Sequence, residues 1–505
     1  MARGQPFDEE IDREIESWRA DERGRMRRGV SIASMLLAMA CLFGSRFEWI
    51  DAWYRGEIDL SGRPRFEPWY PIDRDAISRI DLERVHAIAI PEWIERTSEA
   101  RTREDRRRAE LAWLELRDAV APDRNLARIW GELHERLTLS PMASARRIDW
   151  LLWAHDRYVD QIGAPYRIEA SMHVRGRHAH VVALGYRVLA ETRSPDGARV
   201  RVMRRIDRSR VVEGWLGHTP REDDGALVVA DRVLHFAVRH VWPALNPALD
   251  GRRPAAERGL LPWVRDEAED AIPPEHLALL RETAEDEQVL IEIAHAIRSR
   301  HACGSRFEVF DLPYKGLSIS SHQALRRALF ASRFSRCPDI TVAEAALLVG
   351  ASERLRTTEE LDPALESMLG WVARSVAVHE ARHVLDGPSE DVACAGCEPL
   401  TTRTVRAELS AYIAAMATPG VGYLATLHAC ATPDHTRGDH ARAVELAVRA
   451  VTPGGCGDDP GLALYARARA AERRMFGERA AISLPGDFPG PLAFFPRTRP
   501  AVAEH

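Results

Sequence analysis

The spacing of apolar residues changes period along the chain, and the changes mark its elements. From Asp75 to about Asp160 apolar positions recur at three- and four-residue steps, as in AELAWLELRDAV and RIDWLLWAHDRYV, which predicts amphipathic helices. YRIEASMHV, HVVALGYRVLAE, ARVRVMRRI and SRVVEGWLG are instead short and rich in β-branched residues, with Ser194-Pro195-Asp196-Gly197 as a turn between two of them. They predict a small antiparallel sheet across about 166–217. ALVVADRVLHFAVRHVWPAL returns to a helical reading, and NPALDGRRPAAERGLLPW reads as a Pro- and Arg-rich linker over 246–263. Helices resume at about 274–300, and from Asp362 to about 478 the pattern is helical with Pro and Gly breaks. The expected fold class is α+β and mainly helical: a helical region with a small antiparallel sheet, then a helical C-terminal domain.

The N-terminus adds an expected membrane anchor. Residues 1–28 form a tail dense in both signs of charge, and 29–45 are uncharged. A helix over that run spans about 25 Å, against a hydrocarbon core of ~30 Å. Arg23, Arg25, Arg27 and Arg28 precede it, so the positive-inside bias places the bulk of the chain outside the cytoplasm. Trp49, Trp53 and Tyr54 stand where an interfacial aromatic belt would lie. Ala38-Met39-Ala40 offers a signal-peptidase site and LLAMAC a lipidation site at Cys41, so a secreted form and a lipoprotein are the alternatives to an inner-membrane-anchored envelope protein. The expected domains are then 46–245, helical with the sheet; the linker; a connecting region 264–350; a metal-binding domain 351–480; and an extended, Pro-rich stretch 481–505.

Charge and cysteine content narrow the partners. The net charge of −6 supplies no global basic field, and the Arg runs RTREDRRRAE and RVRVMRRIDRSR have acids interleaved or nearby, so nucleic acid is not expected as a partner. Beyond Cys41 there are Cys303, Cys337, Cys394, Cys397, Cys430 and Cys456. This even set favours disulfides; the competing reading is a four-thiolate zinc site from Cys394, Cys397, Cys430 and Cys456.

The segment DPALESMLGWVARSVAVHEARHVLDGP holds the chemistry. Asp362 is a candidate N-cap, Pro363 suits the first helical position, and Gly387-Pro388 is a stop signal. Leu365, Leu369, Val372 and Val376 form an apolar stripe that His379 and His383 continue. His379-Glu380-Ala381-Arg382-His383 is an H-E-x-x-H pattern. Two imidazoles one turn apart reach one Zn²⁺, and the Glu beside them takes a proton from metal-bound water. Zinc then needs a third protein ligand, and Glu408 in TVRAELSAYIAAM is the candidate, on a second helix with Thr404 as its cap.

The stretch from His379 to Tyr412 resembles the gluzincin metallopeptidases, in which H-E-x-x-H and a downstream E-x-x-A Glu lie on two successive helices. That resemblance implies a zincin-like domain with His379, His383 and Glu408 as zinc ligands, Glu380 as general base and a peptide or protein as substrate. Two features depart from the pattern: Arg382 stands at a usually uncharged position, and no edge strand for substrate is evident upstream. Tyr412, one turn past Glu408, and His428, in VGYLATLHAC, are further catalytic candidates; Asp386 is a candidate partner for the second nitrogen of His383. Glu390, Asp391 and Glu398 are alternative third ligands. Two functions are expected in competition: a membrane-anchored extracytoplasmic zinc metallopeptidase, and a non-catalytic envelope scaffold with a structural or degenerate metal site.

Overall fold

The computed structural model describes residues 65–139, 145–175, 178–207, 216–219, 225–299, 341–387, 392–398, 401–431 and 438–495. After two short helical turns, Arg74–Ser78 and Leu82–Arg84, and a π-turn, Val85–Ala89, come the helices α1 (Ile90–Glu99), α2 (Arg103–Val120), α3 (Arg124–Leu139) and α4 (Ala145–Ile162). Their spacing makes them amphipathic, and they bury one core from Trp93, Leu116, Ile129, Trp130, Leu151 and Tyr158.

A sheet follows: β1 (Tyr166–Arg175), β2 (His178–Arg193), β3 (Arg199–Arg205), β4 (Gly217–His218) and β5 (Gly225–Val229), in the order β1-β2-β3-β5-β4. Side chains alternate across it. Val200, Val202, Ala226 and Val228 join the large C-terminal core, whereas Met203, Leu227 and Val229 pack on the opposite face with Leu184 and Tyr186. On the first of these faces Val181 and Ala183 of β2 belong to the N-terminal core. The sheet therefore joins the two helical bodies.

The C-terminal body contains α5 (Ala230–Phe236), α6 (Leu261–Ala271), α7 (Pro274–Ser299), α8 (Val342–Thr357), α9 (Leu361–Asp386), α10 (Arg403–Met416), α11 (Gly422–Ala431), α12 (Asp439–Val451) and α13 (Leu464–Phe476). Helix α9 is its axis. The stripe Leu365, Leu369, Val372 and Val376 is buried, but so are Ala364, Met368, Trp371, Ala373, Ala377 and Val378 around the rest of the circumference. Residues 246–263 form short helical turns, and Leu249 and Leu260 are buried in the same core.

Two parts of the expected fold class are corrected. The sheet is mixed and curled into a half-barrel rather than antiparallel, because β3 and β5 run parallel. Strand β5 lies in the apolar run Ala226–Val229, which the sequence reading assigned to a helix. A short continuous apolar run has no period to distinguish a buried strand from a buried helix. The membrane-spanning helix is the second correction. Residues 29–45 lie outside the described residues, and among those described no helix is long and apolar enough to cross a membrane. Helices α7 and α9 are long enough, at 26 residues each, but charged side chains interrupt both, from Glu275 to Glu292 in α7 and at Glu366, Arg374 and Glu380 in α9.

The cysteines within the described residues pair as Cys394–Cys397 and Cys430–Cys456, which removes the four-thiolate alternative. The first bridge closes the loop between α9 and α10, and the second ties α11 to the segment after α12. Cys41, Cys303 and Cys337, with the short strand considered at 307–310, lie outside the described residues.

Candidate metal centre

Two helices supply the centre. Helix α9 presents His379 and His383 one turn apart near its C-terminal end, and Gly387 ends it at a φ of 72°. Helix α10 packs beside it and presents Glu408. Its cap is Thr402, whose hydroxyl accepts from the Val405 N–H at 3.2 Å, two residues before the expected Thr404.

The donor atoms converge. The Nε2 atoms of His379 and His383 are 3.3 Å apart, and Glu408 Oε2 lies 3.4 Å from the first and 3.7 Å from the second. Three donors bound about 2.1 Å from one tetrahedral cation lie about 3.4 Å from one another. The set of two imidazoles and one carboxylate, at these separations, fits zinc. All three side chains are partly buried, between 13 and 22 % exposed.

The electrostatics follow from the same contacts. Burial alone would raise the Glu408 carboxyl, but hydrogen bonds from His379, His383 and His440 outweigh it and hold the group well below the usual carboxylate range. For His383 burial acts downward, and the Glu408 hydrogen bond with the charges of Glu380, Glu408 and Asp386 overcomes it, so this imidazole is raised.

Glu380 is 6 % exposed and faces the sheet. Thr219, just after β4, donates to its Oε2 at 2.9 Å and is 3.2 Å from its carbonyl oxygen. A Cβ on Gly217 would fall 2.5 Å from Glu380 Cγ, so only glycine lets the strand lie this close. Among the described residues strand β4 is the edge of the sheet, and it runs beside the H-E-x-x-H helix.

Tyr412 is buried with its ring 4.6 Å from that of His379, and its hydroxyl is 2.9 Å from His440 Nε2. His440 Nδ1 in turn lies 3.4 Å from Glu408 Oε2. The carboxylate only accepts, so His440 donates through Nδ1 and accepts the Tyr412 proton at Nε2. Burial first, and then the charges of Glu408 and Glu380, push the Tyr412 phenol well above its usual range and keep it neutral. His428 packs edge-on against Phe236 at 4.8 Å and lies 6.1 Å from the Tyr412 ring, outside the group of donors. Burial, then the neighbouring His379, His440 and His240, push it down to about 3.

Other candidates are placed elsewhere. Asp386 accepts from Ser410 at 2.5 Å and from Arg479 at 3.0 Å, and pairs with Arg382 at 2.9 Å. That pairing accounts for the charged residue inside the motif: Arg382 points away from the donors into a buried ion network. Glu398 is exposed and 3.6 Å from Arg442, while Glu390 and Asp391 lie outside the described residues. Sequence reasoning missed His440 and Thr219. Both reach the centre only through the tertiary fold, and neither stands at a motif spacing.

No protein family, curated protein or solved structure matches this chain.

Proposed function

We propose that the chain is a zinc-dependent metallopeptidase. The observation that supports this most is the convergence of His379, His383 and Glu408 at the separations of a tetrahedral site, with Glu380 buried beside them. Bound zinc would polarise a scissile carbonyl and acidify a water enough to lose its proton near neutral pH. Glu380 is the base that takes this proton and later passes it to the leaving amine. Thr219 occupies one oxygen of that carboxylate and leaves the other to work. His440, held by Tyr412, reaches the same Glu408 oxygen that faces the two imidazoles and would orient that ligand. A peptide that extended the sheet at β4, its edge among the described residues, would pass beside Glu380 and pair through its main chain. The two disulfides support residence in an oxidising compartment outside the cytoplasm.

The test is metal content measured beside peptide hydrolysis. The purified chain is expected to hold about one zinc. Glu380→Gln should retain it and lose ~10²–10⁴-fold in kcat. Glu408→Gln should lose the metal. Zinc bound without Glu380-dependent cleavage would make the centre structural, and zinc indifferent to Glu408→Gln would remove the third ligand.

A further inference from the structure

The two disulfides differ in kind. Cys430–Cys456 joins residues 26 apart in sequence and belongs to the C-terminal core: Cys430 is 6 % exposed, and Cys456 packs against the same cluster. Cys394–Cys397 joins residues three apart, in the run Cys-Ala-Gly-Cys, at a turn on the surface. Both of its cysteines are half-buried, and Ala393, Ala395, Gly396 and Glu398 around them are exposed. A bridge stabilises chiefly by limiting the unfolded chain, and the limit grows with the loop it closes. The short ring therefore stabilises far less than the long one.

The turn is also held in place by contacts that involve no sulfur. Ala395 donates its N–H to the Met475 carbonyl oxygen at 2.9 Å, one of the last carbonyls of α13. Gly396 lies close against the same helix end, where a Cβ would come 3.3 Å from Met475 Cγ and 3.4 Å from the Arg474 carbonyl oxygen. Just beyond, the Thr401 N–H donates to the Glu398 carbonyl oxygen at 2.9 Å. The Cys-x-x-Cys spacing itself lowers a thiol's pKa, so that it attacks and leaves as a thiolate near neutral pH. A good leaving thiolate speeds exchange, and exposed bridges are the labile ones. The two sulfurs differ in access: among the described residues Cys397 packs against the C-terminal core and Cys394 does not.

We propose that Cys394–Cys397 is a thiol–disulfide exchange site whose substrate is a dithiol. The bridge is closed in the structure, so this chain is the oxidant. One substrate thiolate attacks Cys394 Sγ; the Cys394–Cys397 bond breaks, and Cys397 leaves as a thiolate. The second substrate thiolate then attacks the substrate sulfur of the mixed disulfide, and Cys394 leaves in turn. The two protons given up by the substrate pass to Cys397 and Cys394. The substrate loses two electrons and becomes a disulfide, and this chain gains them and becomes a dithiol. No donor atom of the metal centre takes part, so the exchange is independent of peptide hydrolysis.

The experiment keeps the full chain folded, without denaturant, in buffers of stepped reduced-to-oxidised glutathione ratio. Thiols are then blocked and each cysteine is mapped by peptide mass. Structural bridges resist the glutathione pool. Cys394 and Cys397 should be blocked at ratios that leave Cys430–Cys456 closed, with far-UV circular dichroism unchanged, and oxidised glutathione should close the bridge again. Dithiothreitol should be oxidised in proportion to the bridge opened. In Cys397→Ser, oxidised glutathione should add to Cys394, since no second thiol is left to release it. A Cys394–Cys397 bridge that stays closed in reduced glutathione, or opens only as the chain unfolds, overturns the proposal and leaves a structural clip. A Cys394 thiol that takes up no glutathione in Cys397→Ser does the same.

Discussion

Glu380 is constrained from the sheet side by two small residues with different roles. Gly217 makes room, and Thr219 supplies a proton to the carboxylate. Thr219→Val preserves the shape of the side chain and removes only the donor, so it isolates the hydrogen bond from packing. The expected result is a fall of ~10–100-fold in kcat, with KM and zinc content unchanged, measured by steady-state cleavage and metal analysis. A kcat equal to that of the parent chain would show that Glu380 holds its position without Thr219. Beside the other helix Tyr412 and His440 would act on Glu408 in the same indirect way, through the orientation of a proposed metal ligand.

Among the elements, α11 depends on a buried acid. Glu267 of α6 accepts from the Leu424 N–H at 2.9 Å, the Tyr423 N–H at 3.3 Å and the Tyr465 hydroxyl at 2.7 Å, so it serves the first turn of that helix. Burial pushes its carboxyl up to about 7, against the pull of Tyr465 and the backbone donors. In the unfolded chain the group titrates near the ordinary ~4.3. Between those values the folded form keeps a proton that the unfolded form has lost. Its contribution is fully present below the unfolded value and fades as pH rises toward about 7. Urea midpoints across that range should therefore fall with rising pH relative to Glu267→Gln, by up to about 3 kcal/mol. Parallel curves for the two chains would place the titration elsewhere.

How far such elements could be foreseen depended on whether their cause was local. The α9 stripe and the one-turn spacing of His379 and His383 are written in consecutive residues, and Glu408 sits in a second helix with its own periodicity. Strand β5 was hidden because its pairing with β3 is parallel and set by chain packing, and its residues alternate between two buried faces. The burial of α9 on nearly all sides was hidden too, since Glu366, Arg374 and Arg382 mask it. Arg374 is accommodated by the carbonyl oxygens of Leu484, Pro485 and Phe488, and Arg382 by Asp386. No pattern in the sequence announces His440.

For the whole molecule, the segment after α13 is part of the core. Ile482, Leu484, Phe488, Leu492 and Phe494 are buried against the C-terminal body, and the backbone between them receives Arg374. Burial of side chains of this kind stabilises by roughly 1.5–3 kcal/mol each. Together they match a typical net stability of about 5–15 kcal/mol. A chain stopped after Ala481 should therefore lack cooperative thermal unfolding, and a sharp transition in near-UV circular dichroism would contradict this. Reduction of Cys430–Cys456, whose partners are 26 residues apart, should act in the same direction by about 3–4 kcal/mol, measured as a lowered urea midpoint.

The grip of Arg374 on residues 484–488 also sets an order of events during synthesis. While the ribosome still shields those residues in its exit tunnel, the Arg374 guanidinium, on the helix that carries the histidine pair, faces water in place of the carbonyl oxygens of Leu484, Pro485 and Phe488. The nascent polypeptide therefore lacks this clasp on that helix until translation has passed that point.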